Sequence, residues 1–153
     1  DGRARRRPGV IAVDVNIIAY LLIAGEKTAE ARLVRELDDE WIVPDLWRDE
    51  FMNILATYIR QGGTSLESAR SLWLAAASLF ENRERSADSI ATLELAEMHR
   101  LSAYDAQYLA VAVEFGVPLI TEDRSLLRST PKNTMTMAEY IALVTKDSAL
   151  SPA

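Results

Sequence analysis

A chain of 153 residues with 49 % apolar and 26 % charged side chains has the size and composition of one globular domain with a real core. No apolar stretch approaches the roughly 20 residues of a membrane span, and no signal peptide is visible. With no cysteine and a single histidine, His99, it has no disulfide framework, no thiolate zinc site and no paired-histidine acid–base chemistry. His99 follows Met98 near a helix end, where a cation favours the helix dipole, so it reads as structural. The absence of cysteine permits a reducing compartment, and the cytoplasm is the expected location. The net charge is −6, but four arginines and one aspartate in residues 1–10 put +3 there and leave −9 for the rest. The segment DGRARRRPG therefore reads as a basic, disordered extension over residues 1–9. A single domain is expected over 10–145, with a C-terminal tail over 146–153. Its body is not a broadly basic nucleic-acid binder, and any such role needs a local basic rim.

The predicted elements alternate. Val10–Val13 is a continuous apolar run and predicts a strand buried on both faces. Helices follow over Ile17–Ile23 and Thr28–Leu37, then a short strand over Glu40–Val43. Asp45 is placed to cap a helix running to Arg60, ended by Gly62–Gly63, with Glu50 in its middle. Phe51, Ile54, Leu55, Tyr58 and Ile59 form the apolar stripe of that helix. Thr64 and Glu67 have the spacing of a capping box for a helix to about Phe80. Another helix is expected over Ser89–His99. Ser102 caps the next, reaching Phe115, with Ala106, Leu109, Ala110 and Val113 toward the core. A strand from Val117, a short helix from Arg124, an edge strand in NTMTM and a last helix over Ala138–Val144 complete the chain. Strands separated by helices imply an α/β sandwich with a short parallel sheet covered on both sides.

Four acids stand out by position. Asp14 and Asp123 lie just past the carboxyl ends of two buried strands, the edge where open α/β sheets bind ligands. Asp105 sits in the first turn of its helix, and Glu50 borders a buried face between Trp47 and Ile54. Each has an ordinary reading. Asp105 suits a capping box behind Ser102, Asp123 suits an N-cap, and Glu50 suits a surface pair with Arg48 or Arg60. Asp14 is the hardest to explain so, because it directly follows a buried run. The acidic run Asp38–Glu40 reads as a solvated turn. If the four converge, two carboxylates about 5 Å apart repel by roughly 3 kcal/mol at an effective dielectric of 20. Such a cluster takes up protons or holds a cation. Oxygen ligands without His or Cys favour Mg²⁺ or Mn²⁺, and such an ion can activate water for phosphodiester hydrolysis.

The stretches VIAVDVNIIAYLL, VPDLWRDEFMNIL, SAYDAQYLAVAVEFGVPLIT and TEDRSLL, in that order, resemble the successive motifs of PIN-domain ribonucleases. The likeness runs from about Val10 to Val144 and is greatest to VapC-type toxins of toxin–antitoxin pairs. It implies a PIN-like three-layer sandwich and a metal-dependent endoribonuclease. By this resemblance Asp14, Glu50, Asp105 and Asp123 match the acidic quartet that binds Mg²⁺ or Mn²⁺. Asn16 and Thr121 match polar residues that orient carboxylates or water, and Glu122 is a bystander. The resemblance also implies an RNA substrate, an antitoxin partner and a homodimer. Arg124, Arg48, Arg128 and Lys132 are candidates for contacting RNA phosphates. The arginine-rich start departs from the family pattern.

Other classes fit less well. A phosphatase of the haloacid dehalogenase type wants a second aspartate two residues after the first, where this chain has Asn16. A receiver-type Mg²⁺-binding signalling domain wants adjacent acids after its first strand, and AVDVN has one. An inactive PIN-like binding module has no need of an intact quartet.

Overall fold

Strand β1 (Val10–Val13) buries Ile11, Ala12 and Val13 completely, which is why its sequence does not alternate. The computed structural model describes residues 9–150. The basic extension thus lies outside the described residues except for Gly9, as do residues 151–153. After β1 come α1 (Val15–Leu22), α2 (Thr28–Leu37) and β2 (Glu40–Pro44), then α3 (Trp47–Arg60) and α4 (Leu66–Leu79). The chain continues through β3 (Glu84–Arg85), α5 (Ser89–His99), α6 (Ala103–Phe115) and β4 (Leu119–Ile120). It closes with α7 (Arg124–Ser129), β5 (Thr134–Met135) and α8 (Met137–Leu150). All strand pairings are parallel, in the order β3-β2-β1-β4-β5. Helices flank this sheet, giving the α/β sandwich that the sequence predicts. Helix α6 packs on β1, β2 and β4 with α5 against it, while α1 meets α2, α3 and α4. Among the described residues no helix is long and apolar enough to cross a membrane.

Register sets the apolar interior: Ile11 lies opposite Trp41, and Val13 opposite Ile120. An aromatic group closes one end of the core. The Trp47 ring stacks on Trp73 at 5.5 Å between centroids and tilts against Phe80 at 4.9 Å. Such pairs add to the burial of the rings themselves.

Several local expectations are corrected. Helix α3 starts at Trp47, after Leu46 and without a side-chain cap from Asp45, so Glu50 falls in its first turn and not in mid-helix. Its end is as expected. Gly62 (φ +75°) takes the left-handed position that favours glycine, and the Gly63 amide donates to the Tyr58 carbonyl (2.9 Å). Ser65, not Thr64, caps α4, its hydroxyl accepting from the Ser68 amide at 3.1 Å. Val113 is 48 % exposed: Ala106, Leu109 and Ala110 are buried as expected, but in the last turn of α6 the buried side passes through Val111 and Ala112 instead. Asp38 is buried, not solvated. Its carbonyl accepts from Trp41 Nε1 at 2.7 Å, and its carboxylate accepts from the Tyr140 hydroxyl on α8. The two-residue strand β3 carries no periodicity and is not foreseen; it forms by pairing Val43 with Glu84.

Candidate active site

Parallel strands send the chain out at one edge, and four helices begin there. Asp14 is the residue before α1, Asp123 the residue before α7, and Glu50 and Asp105 lie in the first turns of α3 and α6. Positive helix ends favour negative groups at such places. The four carboxylates, with Asn16 and Asn53, line one cavity of about 270 Å³. The sequence-predicted quartet and Asn16 are thus brought to a single hollow.

Asp14 is 5 % exposed, and burial is the largest influence on it, pushing its pKa up to about 6. The Thr121 hydroxyl and the Val15 amide partly oppose this, while the charges of Asp105 and Glu50 reinforce it. Glu50 is also raised, first by burial and then by Asp105, against a lowering influence of Tyr108. Asp105 is raised by burial and by Asp123, and lowered by Ser102. Three carboxyls therefore hold their protons more tightly than usual.

Thr121 joins two of the acids. Wholly buried, it donates its hydroxyl to Asp14 Oδ2 (2.8 Å) and accepts from the Asp123 amide (3.0 Å). Asp123 in turn caps α7, Oδ1 accepting from the Leu126 amide at 2.9 Å. Replacing Thr121 by Val removes a bond to a carboxylate and strands the amide. Urea unfolding at neutral pH should show a loss of about 1.5–3 kcal/mol, and Thr121→Ser should recover most of it. Equal stability of the Val variant and wild type would deny the hydroxyl this role.

Tyr108 was not anticipated. It stands one turn after Asp105 on α6 and is 1 % exposed, and among the described residues neither its hydroxyl nor the buried Glu50 Oε1 completes a well-formed hydrogen bond. They are nevertheless close enough for each to shift the other's ionisation, the tyrosine upward. The signal was present as the i, i+3 spacing from Asp105; Asn53 bears the same relation to Glu50.

The PIN domain family matches residues 11–132. The chain belongs to the PIN domain family. The crystal structure of PAE2754 from Pyrobaculum aerophilum superposes with a TM-score of 0.70 at 22 % identity, covering 90 % of this chain and 98 % of that one, a likeness of fold. No curated protein matches the chain. The family assignment displaces the haloacid-dehalogenase and receiver readings.

PIN domains are generally metal-dependent nucleases and typically bind divalent ions such as Mg²⁺. The donor chemistry of this PIN domain fits such an ion. All four donors are carboxylates, and Glu50 Oε1, close to the Tyr108 hydroxyl, is a buried acceptor without a well-formed hydrogen bond among the described residues. Among the described residues no three acidic side chains are gathered tightly enough to hold an ion as they stand.

The basic candidates of this PIN domain are dispersed. Arg124 is exposed at the start of α7, next to Asp123, and Arg128 is exposed in its last turn. Arg48 is engaged elsewhere, its Nε donating to Glu84 Oε1 on β3, which also accepts from Trp47 Nε1 at 2.8 Å. Lys132 lines a hollow with Pro118 and Asn133 at the amino ends of β4 and β5, the opposite edge of the sheet. Glu122, expected to be a bystander, is engaged with other elements. Its Oε1 accepts from the Met137 amide at the start of α8 (3.1 Å), and Oε2 pairs with Lys27 at 3.5 Å.

Proposed function

We propose that this PIN domain, taken as residues 10–145, is a Mg²⁺- or Mn²⁺-dependent endoribonuclease, the toxin of a type II toxin–antitoxin pair resembling VapC. The observation that carries the reading is one cavity lined by the four carboxylates of Asp14, Glu50, Asp105 and Asp123. Asp14, Glu50, Asp105 and Asp123 hold the ion and are the catalytic residues. When bound, the ion supplies charge neutralisation at the phosphodiester and lowers the pKa of an attacking water. Thr121 holds the Asp14 carboxylate toward the cavity, and Asn16 offers an amide to water or phosphate at its rim. With no paired histidines, the 2′-hydroxyl route has no evident acid and base; attack by water leaves a 5′-phosphate and a 3′-hydroxyl. Arg124, adjoining Asp123, is the first candidate for an RNA phosphate, ahead of Arg128, Arg48 and Lys132. The reading carries with it a cytoplasmic location, a homodimer and an antitoxin that covers the active groove.

The test incubates purified protein with total RNA in Mg²⁺ or EDTA and maps the new ends. Cleavage that persists in EDTA, or ends bearing 2′,3′-cyclic phosphate, would overturn it. Activity can be hidden by a narrow target, so a second readout is needed. An ion that binds only the folded state raises its melting temperature. Wild type should therefore melt higher as Mg²⁺ or Mn²⁺ is added, and Asp14→Asn should shift much less. Equal shifts would put the ion elsewhere.

A further inference from the structure

The acid cavity is not a closed pit. It shares Asn53 and Ile54 with a second hollow of about 280 Å³, which extends to Thr57, Tyr58 and Gln61. That hollow shares Ile23 and Tyr58 with a third of about 510 Å³, which reaches Tyr20 and Lys27. The three run together as a groove between α1 and α3. One stripe of α3 supplies its floor: Glu50, Asn53, Ile54, Thr57, Tyr58 and the capping residue Gln61 follow the i, i+3, i+4, i+7, i+8, i+11 spacing of a single helix face. From Glu50 to Gln61 that stripe is about 16 Å long at 1.5 Å per residue.

The composition of the stripe changes along it. It begins with a carboxylate and continues with neutral groups, two amides, a threonine hydroxyl and a half-buried aromatic ring. Among the lining residues the cation is Lys27, in the third hollow beside Glu26; it lies 5.5 Å from the Tyr20 ring centroid and also pairs with Glu122. Amides that both donate and accept suit base edges, and an aromatic face suits any unpaired base. Phosphates alone would call for more positive charge than this groove has. The Tyr58 ring is also held in place. It lies directly over Gly63, where an added Cβ would fall 2.0 Å from Cε2 and 2.3 Å from Cδ2. The tight turn that ends α3 thus serves as a rest for the ring.

We propose that the α1–α3 groove binds unpaired RNA nucleotides adjoining the scissile phosphate, with Tyr58 as the stacking platform and Asn53 and Gln61 facing base edges. This rests on the nuclease reading and adds to it the residues that hold the substrate's bases and the direction in which the strand leaves the acids. Base-directed binding weakens strongly when the ring is lost and hardly changes the salt dependence, which counts phosphate contacts.

The test uses Asp105→Asn protein with Mg²⁺ and a fluorescein-labelled single-stranded RNA of about ten nucleotides, a length within reach of such grooves, read by fluorescence anisotropy. Adding Tyr58→Ala should weaken binding about tenfold. Tyr58→Phe should keep it, and Gly63→Ala, which displaces the ring, should weaken it severalfold. The slope of affinity against salt should stay the same throughout, and a fully paired duplex should show no effect of Tyr58→Ala. Single-strand affinity within twofold of the parent in Tyr58→Ala overturns the proposal, and leaves the groove to an extended peptide. A parent that binds no single-stranded RNA overturns it as well. The nuclease reading is judged separately, by wild-type cleavage and by the Mg²⁺ shift in melting temperature.

Discussion

Asp105→Asn is expected to reduce Mg²⁺-dependent RNA cleavage by about 100- to 1,000-fold while leaving the fold intact, the scale at which removal of a group that stabilises developing charge is felt. Asp105 is the cleanest of the four to test. Its carboxylate interacts with Ser102, but the Ser102 cap of α6 uses the Asp105 amide (3.1 Å), which asparagine retains. Asp123 is less informative, because its side chain also caps α7, and Asp14 less so, because it is bonded to Thr121. The metal-free Asp105→Asn protein should melt no lower than wild type, since the carboxylate it loses is raised by burial and by the charge of Asp123. Single-turnover cleavage with the RNA cut by wild type gives the rate, and circular dichroism checks the fold. Activity within about threefold of wild type would remove Asp105 from the chemistry.

Without divalent metal, the second large effect is a dependence of stability on pH. The folded pKa of Asp14 is pushed up to about 6 from an ordinary 3.8. A raised carboxyl binds its proton more tightly folded than unfolded, so its contribution is fully present below about pH 4 and is lost as pH rises through 6. Two units correspond to about 3 kcal/mol across that window. Glu50 and Asp105 are raised too and act in the same direction. Asp14→Asn abolishes the largest part. Urea unfolding in EDTA should therefore show the variant gaining on wild type by about 3 kcal/mol between pH 4 and pH 7. Mg²⁺ at pH 7 should close that gap by stabilising wild type. A stability difference that does not vary with pH would mean that Asp14 is ionised throughout and not perturbed by its burial.

Periodicity is a local property, and where structure follows local rules the sequence was readable. The uninterrupted Val10–Val13 run, the Gly62–Gly63 stop and the Ser102 cap each depend on residues within a turn or two of one another and lie where spacing puts them; of the stripe Phe51, Ile54, Leu55, Tyr58 and Ile59, only Phe51 and Leu55 are buried. Asp14, Asp105 and Asp123 were conspicuous for a related reason: acids at strand ends and helix starts are visible along the chain. Elements held by distant partners were not. β3 exists because Val43 offers an edge to Glu84, and Asp38 is buried where α8 brings the Tyr140 hydroxyl to donate to its carboxylate.

The candidate site divides in the same way. Sequence alone determined which carboxylates could meet, since an acid set against a buried run is costly without a purpose, and an inventory with one histidine leaves little other chemistry. Only the tertiary structure decided what lies around them. Thr121 reaches Asp14 across 107 positions of chain, and Tyr108 comes to lie against Glu50 through the packing of α6 against the sheet. Arg48 is turned to Glu84, and the groove down α3 opens because α1 crosses it there. Hydrogen bonds and cavities are set by distances in space, and the sequence orders residues only along the chain.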